Sequence, residues 1–543
     1  MKTAALLALA AGLARAAPTS PYTITVGAVS SNWKTPDDTP AASYIDKDGS
    51  YYFQQAHALY GATQERKWNF YAGTHIDDAT KSPLSNSVNP ADARDSNADT
   101  TWRCNNSPTG KKSTPAVGSA SYAQANYCDL TAMWVDPDTG DWYGLVHNEF
   151  TPQPFADGLH YDAIDYAVST DQGKTWNIKA QVITSPYSTL RNDTAAFPQQ
   201  TYHYGVGDPR ILADPASGYF YVWYGSRIVN KGGSWVAFHE HVARAPMWGK
   251  MAPGTWRKYY AGTWTEPGLG GRESNLVPVT SLTETGYTPP EKEYKPITPG
   301  RAADQVAAGT CPPTSPLFVM DVSYSAHLGV YIGEPQAVDQ SGNAPQEIYY
   351  TTDLATQKWR LLGNTGSYKT ASWYRWFLDP VSRTQGSIVG RDLRAYCSFG
   401  CSNGASAEYV NLSINGPAFS VIATGSYSIA GLGPFRIEPT GDGAYTLTGS
   451  GGVLGVDAST KATRAWGTKP GWGTDKSVGR QWWIIKLPGV NRFRLINRYS
   501  GLALAVRAGQ FETTPVRMWN DTTGSPVGGG RTAQEQDHVL TAA

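Results

Sequence analysis

Leu130-Thr-Ala-Met-Trp-Val-Asp136-Pro-Asp-Thr-Gly140-Asp-Trp-Tyr-Gly-Leu-Val-His-Asn-Glu-Phe150 is the stretch that decides the fold. It reads as an apolar strand, a D-x-x-x-G turn and an aromatic strand. Val, Trp, Tyr and Phe suit a pleated, half-buried surface, while Asp and Gly supply the turn. The unit recurs as Ala42–Ala56 around Asp46-Lys-Asp-Gly49 and as Arg210–Arg227 around Asp214-Pro-Ala-Ser-Gly218. A fourth copy is Pro316–Gly333, turning near Ser325–Leu328, and a fifth is Ser372–Phe399, turning near Asp379–Gly386. Long amphipathic helical periods are absent beyond the N-terminal segment. Irregular spacing with long insertions fits propeller blades better than a solenoid. Five units predict an all-β, five-bladed β-propeller over residues 18–425.

A second signature overlaps the units. Tyr166-Ala-Val-Ser-Thr-Asp171-Gln-Gly173-Lys-Thr-Trp176 is an Asp-box, S-x-D-x-G-x-T-W, and Tyr349–Trp359 is a degraded copy. Asp and Gly close a tight hairpin, and Trp packs between neighbouring strands. The box occurs in sialidases, invertases and non-enzymatic propellers alike, so it speaks for fold and not for function.

The rest of the chain bounds the setting. At 543 residues, two or three domains are expected. Lys+Arg 45 against Asp+Glu 45 leaves zero net charge, which gives no footprint for nucleic acid or acidic lipid. Aromatics are heavy, with 19 Trp and 32 Tyr, enough to fill large cores and line sugar clefts. Met1-Lys2, the apolar run Ala4–Leu13 and Ala14-Arg-Ala-Ala17 read as a secretory signal over residues 1–17. Sequons at Asn105, Asn192, Asn411 and Asn520 fit a secreted, glycosylated protein. Five cysteines suit an oxidising compartment. Spacing pairs Cys104 with Cys128 and Cys397 with Cys401, leaving Cys311 over. No His stands at ligand spacing beside either couple, and we expect no metal, no cofactor and a monomer.

Near Gly431 the character changes. Tyr445-Thr-Leu, Leu454-Gly-Val456, Trp466 and Gln481-Trp-Trp483 align with Phe493-Arg-Leu, Leu504-Ala-Val506, Trp519 and Gln536-Asp-His538. These segments resemble the ricin-type β-trefoil lectin family, whose repeats end in Q-x-W. The resemblance implies a carbohydrate-binding-like trefoil over residues 426–543. The family's sugar-binding Asp is Gly455 in one repeat and Ala505 in the other, so a packing or spacer role is favoured over a working lectin site.

In a propeller, the start of each inner strand and the end of the second converge on one funnel. This places Asp37, Asp38, Gln54, Gln55 and His57 from unit one, and Tyr127, Asp129, His147 and Glu149 from unit two. Unit three adds His203, Asp208, Arg210 and Arg227, unit four Glu334, and unit five Tyr374 and Arg375. Several carboxylates on one funnel suit glycoside hydrolysis, where one protonates the leaving oxygen and another attacks or activates water. A third, ionised neighbour holds the acid protonated.

Asp37-Asp-Thr-Pro through Gln55, Gly207-Asp-Pro-Arg210 and Trp264-Thr-Glu266-Pro267 resemble, in that order, the Asp, R-D-P and E-C-P elements of five-bladed furanosidases. Those are the invertase-like and arabinanase-like glycoside hydrolases. The resemblance implies Asp38 as base or nucleophile, with Asp37 beside it, Asp208 as orienting carboxylate and Glu266 as general acid, on a furanoside polysaccharide such as arabinan. Glu149 is the rival acid. Asp129, His147, Arg210, Arg227, Tyr127 and Arg375 are expected to bind substrate. Two other readings stand beside it. A uronate lyase would use Tyr127, His203, Arg210, Arg227 and Arg375, and a non-catalytic protein would use propeller and trefoil to bind glycans. His239-Glu-His241 does not read as a metal site, because alternate strand residues share a face without closing a ligand set.

Overall fold

A computed structural model describes residues 20–57, 66–110, 126–150, 162–189, 193–232, 234–336, 341–372, 374–456, 466 and 470–543. The expected signal at 1–17 and the sequon Asn192 lie outside the described residues. Five sheets form a five-bladed propeller, antiparallel apart from one short parallel pairing of Asp321–Ser325 with Ile388–Val389. Their innermost strands are, in blade order, Ala42–Ile45, Asn126–Leu130, Thr201–Ala213, Asp321–Ser325 and Tyr374–Leu378. Blade 3 carries five strands, ending on Thr263–Pro267 at its outer edge. Blade 5 is completed by Thr23–Ser30, which pairs antiparallel with Ala407–Asn415 and so joins both ends of the propeller in one sheet.

The repeated turn earns its place by hydrogen bonding. In blade 2, Gly140 N donates to Asp136 O at 2.8 Å, while Asp138 N and the Thr139 hydroxyl bond the Asp136 carboxylate. Gly140 has φ +72°, which glycine adopts without penalty. Blades 1 and 3 repeat the bond from Gly49 to Asp46 O and from Gly218 to Asp214 O.

The Asp-box closes as expected, with Thr175 N on Asp171 Oδ1 at 2.9 Å and Gly173 N on the Ser169 hydroxyl. Trp176 packs on Trp68 and Phe70 of blade 1 and on Trp142 of blade 2. In the degraded copy, Trp359 is buried against Trp223 of blade 3. Each box tryptophan therefore stitches two blades.

Disulfides join Cys104 to Cys128 and Cys397 to Cys401, and Cys311 is a buried thiol. Among the described sequons, Asn411 and Asn520 are exposed and Asn105 is half-buried in the helix Thr101–Asn106. No helix of the described residues is long and apolar enough to cross a membrane.

The chain after residue 424 forms one ten-stranded sheet, whose last strand, Leu540–Ala542, pairs with its first, Gly425–Ile429. This unit touches the inner turn of every blade. Trp466 N donates to Lys47 O in blade 1, and Arg517 Nη1 reaches Asp138 in blade 2, both at 2.8 Å. Arg494 Nη1 donates to Pro215 O in blade 3, and Gly443 lies against His327 in blade 4. Arg498 grips Asp379 of blade 5 through Nη2 at 2.6 Å and Nε at 2.9 Å. A cavity of about 190 Å³ at this end of the axis is bounded by blade turns on one side and Trp466, Ile496, Leu502 and Val516 on the other.

Candidate active site

At the opposite end, strand alternation decides which side chains face the funnel. Before the first inner strand, Asp38 faces the axis and Asp37 does not. Asp37 is buried in blade 1, where its carboxylate bonds His57 Nδ1 and, at 3.4 Å, Asn69 Nδ2. In blade 5, Tyr374 faces the axis: its hydroxyl feels burial first, then Asp38, Asp208, Arg210 and Asp129, which places all four around it. Its neighbour Arg375 points into the seam with blade 4, donating to Pro335 O and Thr370 Oγ1, with Glu334 beside it. Arg375 and Asp37 therefore turn away from the axis, against expectation: Arg375 is one strand position out of phase with Tyr374, and Asp37, in the irregular segment before Ala42–Ile45, is held by His57 and Asn69.

The centre is a net of two acids and two cations. His147 Nε2 lies 3.1 Å from Asp162 Oδ2, and His147 Nδ1 lies 3.6 Å from Asp208 Oδ1. Arg227 Nη2 donates to Asp208 Oδ2 at 2.7 Å, and Arg227 Nη1 lies 3.6 Å from Asp162 Oδ2. Burial opposes charge on His147, but Asp208, Asp162 and Glu149 outweigh it and raise the imidazole to about 10. Burial likewise raises Asp208, yet His147, Arg227 and Arg210 bring it below the usual carboxylate range. Asp208 has φ +53°, a left-handed conformation that Asp and Asn tolerate better than other non-glycine residues.

Asp129, from blade 2, behaves oppositely. Burial pushes it up to about 7; His147 pulls it down, while the negative Glu149 and Asp208 add to the rise. Glu149 accepts from the Tyr204 hydroxyl at 3.2 Å. Arg210 is buried below the ring, its Nη1 held by the carbonyls of Asp208 and Pro209. Arg210 and Asp321 border an axial cavity of about 200 Å³ reached by the inner strands of all five blades.

Gly207 gives this net its room. A Cβ there would stand 2.3 Å from His147 Nε2 and 3.0 Å from Asp162 Oδ2. We expect Gly207→Ala to displace His147 and lower kcat roughly 10²-fold while the protein stays folded. Wild-type turnover in that variant would show that the His147 contact is dispensable.

Glu266 is not part of the site. It lies on the fifth strand of blade 3, four strand spacings of about 4.8 Å from the inner strand. There it pairs with Arg272 at 2.6 Å, and Arg272 holds its carboxyl below the usual range despite some burial. Of the residues a lyase would use, His203 and Arg375 lie off the funnel. His203 is buried on Ser185 Oγ and driven down to about 3 chiefly by that burial, whereas Arg210 and Arg227 stay central. The side chain of Tyr127 lies outside the described residues. His239 and His241 bond Pro312 O and Ser274 O, away from one another's ligand reach.

Asp162, Tyr204, Asp321 and Glu240 were not picked out in the sequence. Asp162 follows a long insertion, and the pairing of Ala163–Ser169 with Trp142–Phe150, together with its own bridge to Gly205, brings it to His147. Ligand atoms of His147, Glu149 and Asp162 fall within 4.8 Å of one another.

No protein-family model matches the chain, and no curated protein matches it. Among solved structures, it is similar to a GH43 β-1,3-galactosidase at 10% identity, covering 93% of this chain and 90% of that one, TM-score 0.32. An α-L-arabinofuranosidase from Lactobacillus brevis is 11% identical over 71% of this chain and 92% of its own, TM-score 0.37. A family 117 glycoside hydrolase from the marine bacterium Zobellia galactanivorans is 10% identical over 74% and 92%, TM-score 0.35.

Proposed function

We propose that the protein is a secreted glycoside hydrolase acting on a polysaccharide, with furanosides such as arabinan as its substrate class. One observation carries the reading: Asp129 and Asp208 face one funnel from adjacent blades, and their surroundings push their proton affinities apart. In this reading Asp129, kept protonated, gives its proton to the leaving oxygen. Asp208 stays ionised, orients the sugar and maintains the proton on Asp129. Asp38, across the funnel, is the base or nucleophile. The acid role thus moves from Glu266 to Asp129, with Glu149 as its negative neighbour. Residues 426–543 we read as a trefoil-like unit whose work is packing against the propeller.

The test is product mass from debranched arabinan and its pH dependence. Products heavier by one water per cut are expected. A general acid must enter protonated, so activity falls as pH rises through the Asp129 value of about 7. Products lacking that water, or a rate that keeps rising above that value, would overturn the assignment.

A further inference from the structure

The His239-Glu-His241 stretch contains a residue with a different task. Glu240, fully buried on the third strand of blade 3, accepts Val319 N at 2.6 Å and Met320 N at 3.2 Å, one on each carboxylate oxygen. Those amides belong to the loop that enters blade 4. Val319 has φ +51°. A β-branched residue is a true outlier there, and such strain persists only when its surroundings impose it.

What the turn presents is Phe318. Its ring lies 5.6 Å from the Arg227 guanidinium carbon and meets Phe238 edge-on at 5.2 Å. The seat exists because residue 225 is glycine: a Cβ there would stand 2.4 Å from the Phe318 ring. Arg227 is the group that holds Asp208. We propose, resting on the role given to Asp208 above, that Glu240 is a positioning residue for the reaction. By pinning the left-handed turn at Val319, it seats Phe318 against Arg227 and fixes the guanidinium on Asp208. Two acceptor oxygens are required. Glutamine keeps one and turns an amide N–H toward a backbone N–H.

The experiment compares E240Q, V319G and E240Q/V319G in the full chain. Readouts are kcat and KM on debranched arabinan and deuterium uptake of the peptide spanning residues 316–322. E240Q should lower kcat by about 10²-fold with KM unchanged, and speed exchange in that peptide alone. E240Q/V319G should regain most of the lost turnover, because glycine holds φ +51° without a clamp. Wild-type turnover in E240Q, or a double variant no better than E240Q, would overturn the proposal, the latter by showing that the lost charge mattered and the turn did not. If E240Q fails to fold, a folded and active double variant supports the clamp and an unfolded one overturns it. If the wild-type protein leaves arabinan uncut, the substrate reading fails separately, and unchanged exchange in E240Q would still refute the clamp.

Discussion

Asp208→Asn should lower kcat by about 10²–10⁴-fold, the range over which a positioned proton-transfer system contributes. Asparagine suits this test because it also tolerates the left-handed conformation at φ +53°, so the change removes charge and leaves the backbone. With Asp208 neutral, His147 and Arg227 keep their positive charge beside Asp129 with one counter-ion fewer. Asp129 then releases its proton at lower pH, and the falling limb of the pH–rate profile moves to the acidic side. Glu266→Gln should leave kcat unchanged, since that carboxylate pairs with Arg272 at the edge of blade 3. A folded Asp208→Asn with normal turnover, or an inactive Glu266→Gln, would reverse the two assignments.

Arg498→Met should cost about 3–5 kcal/mol of stability, because removing one partner of a buried pair strands the other. Arg498 is 1% exposed, contacts Asp379 and, at 2.8 Å, Asp442, and lies 4.5 Å from the Trp483 ring centre. Asp379 is fully buried and has Ser382 N on its other side. Urea unfolding followed by tryptophan fluorescence reads the loss as a lower midpoint. Asp379→Asn in the Arg498→Met background should recover part of it, since the fully buried carboxylate is then neutral and only the partly exposed Asp442 has lost its partner. Equal midpoints for wild type and Arg498→Met would mean that the pair contributes nothing net.

The five turns and the Asp-box were legible in the sequence because each is a local device, an Asp or Gly bonding within a few residues. Asp208 and Arg210 were picked out from the short Gly-Asp-Pro-Arg motif, and Asp38 from its place ahead of the first inner strand. Orientation was harder. Asp37 and Asp38 are both acids in the irregular segment ahead of one strand, and only long-range contacts, those of His57 and Asn69 with Asp37, set the two apart. Glu266 misled because a short motif carries no count of strands, and blade 3 has five. Asp162 and Glu240 were invisible as functional groups, since their partners, His147 and the Val319–Met320 amides, are distant in sequence. Arg517, Arg494 and Arg498 carry no local signal in the sequence, and each binds the turn of a different blade, at Asp138, Pro215 and Asp379.

The pairing of Thr23–Ser30 with Ala407–Asn415 carries a consequence for synthesis. A ribosome delivers the outer edge of blade 5 first and its partner strand last. Until Asn415 has emerged, the early strand stays an open edge, with unpaired amides and carbonyls able to recruit the wrong neighbour. Ring closure therefore waits on the most non-local contact of the propeller, a slow step for any chain of this topology. Once made, it leaves no free end from which a blade can peel, so the same pairing that delays maturation slows unravelling afterwards.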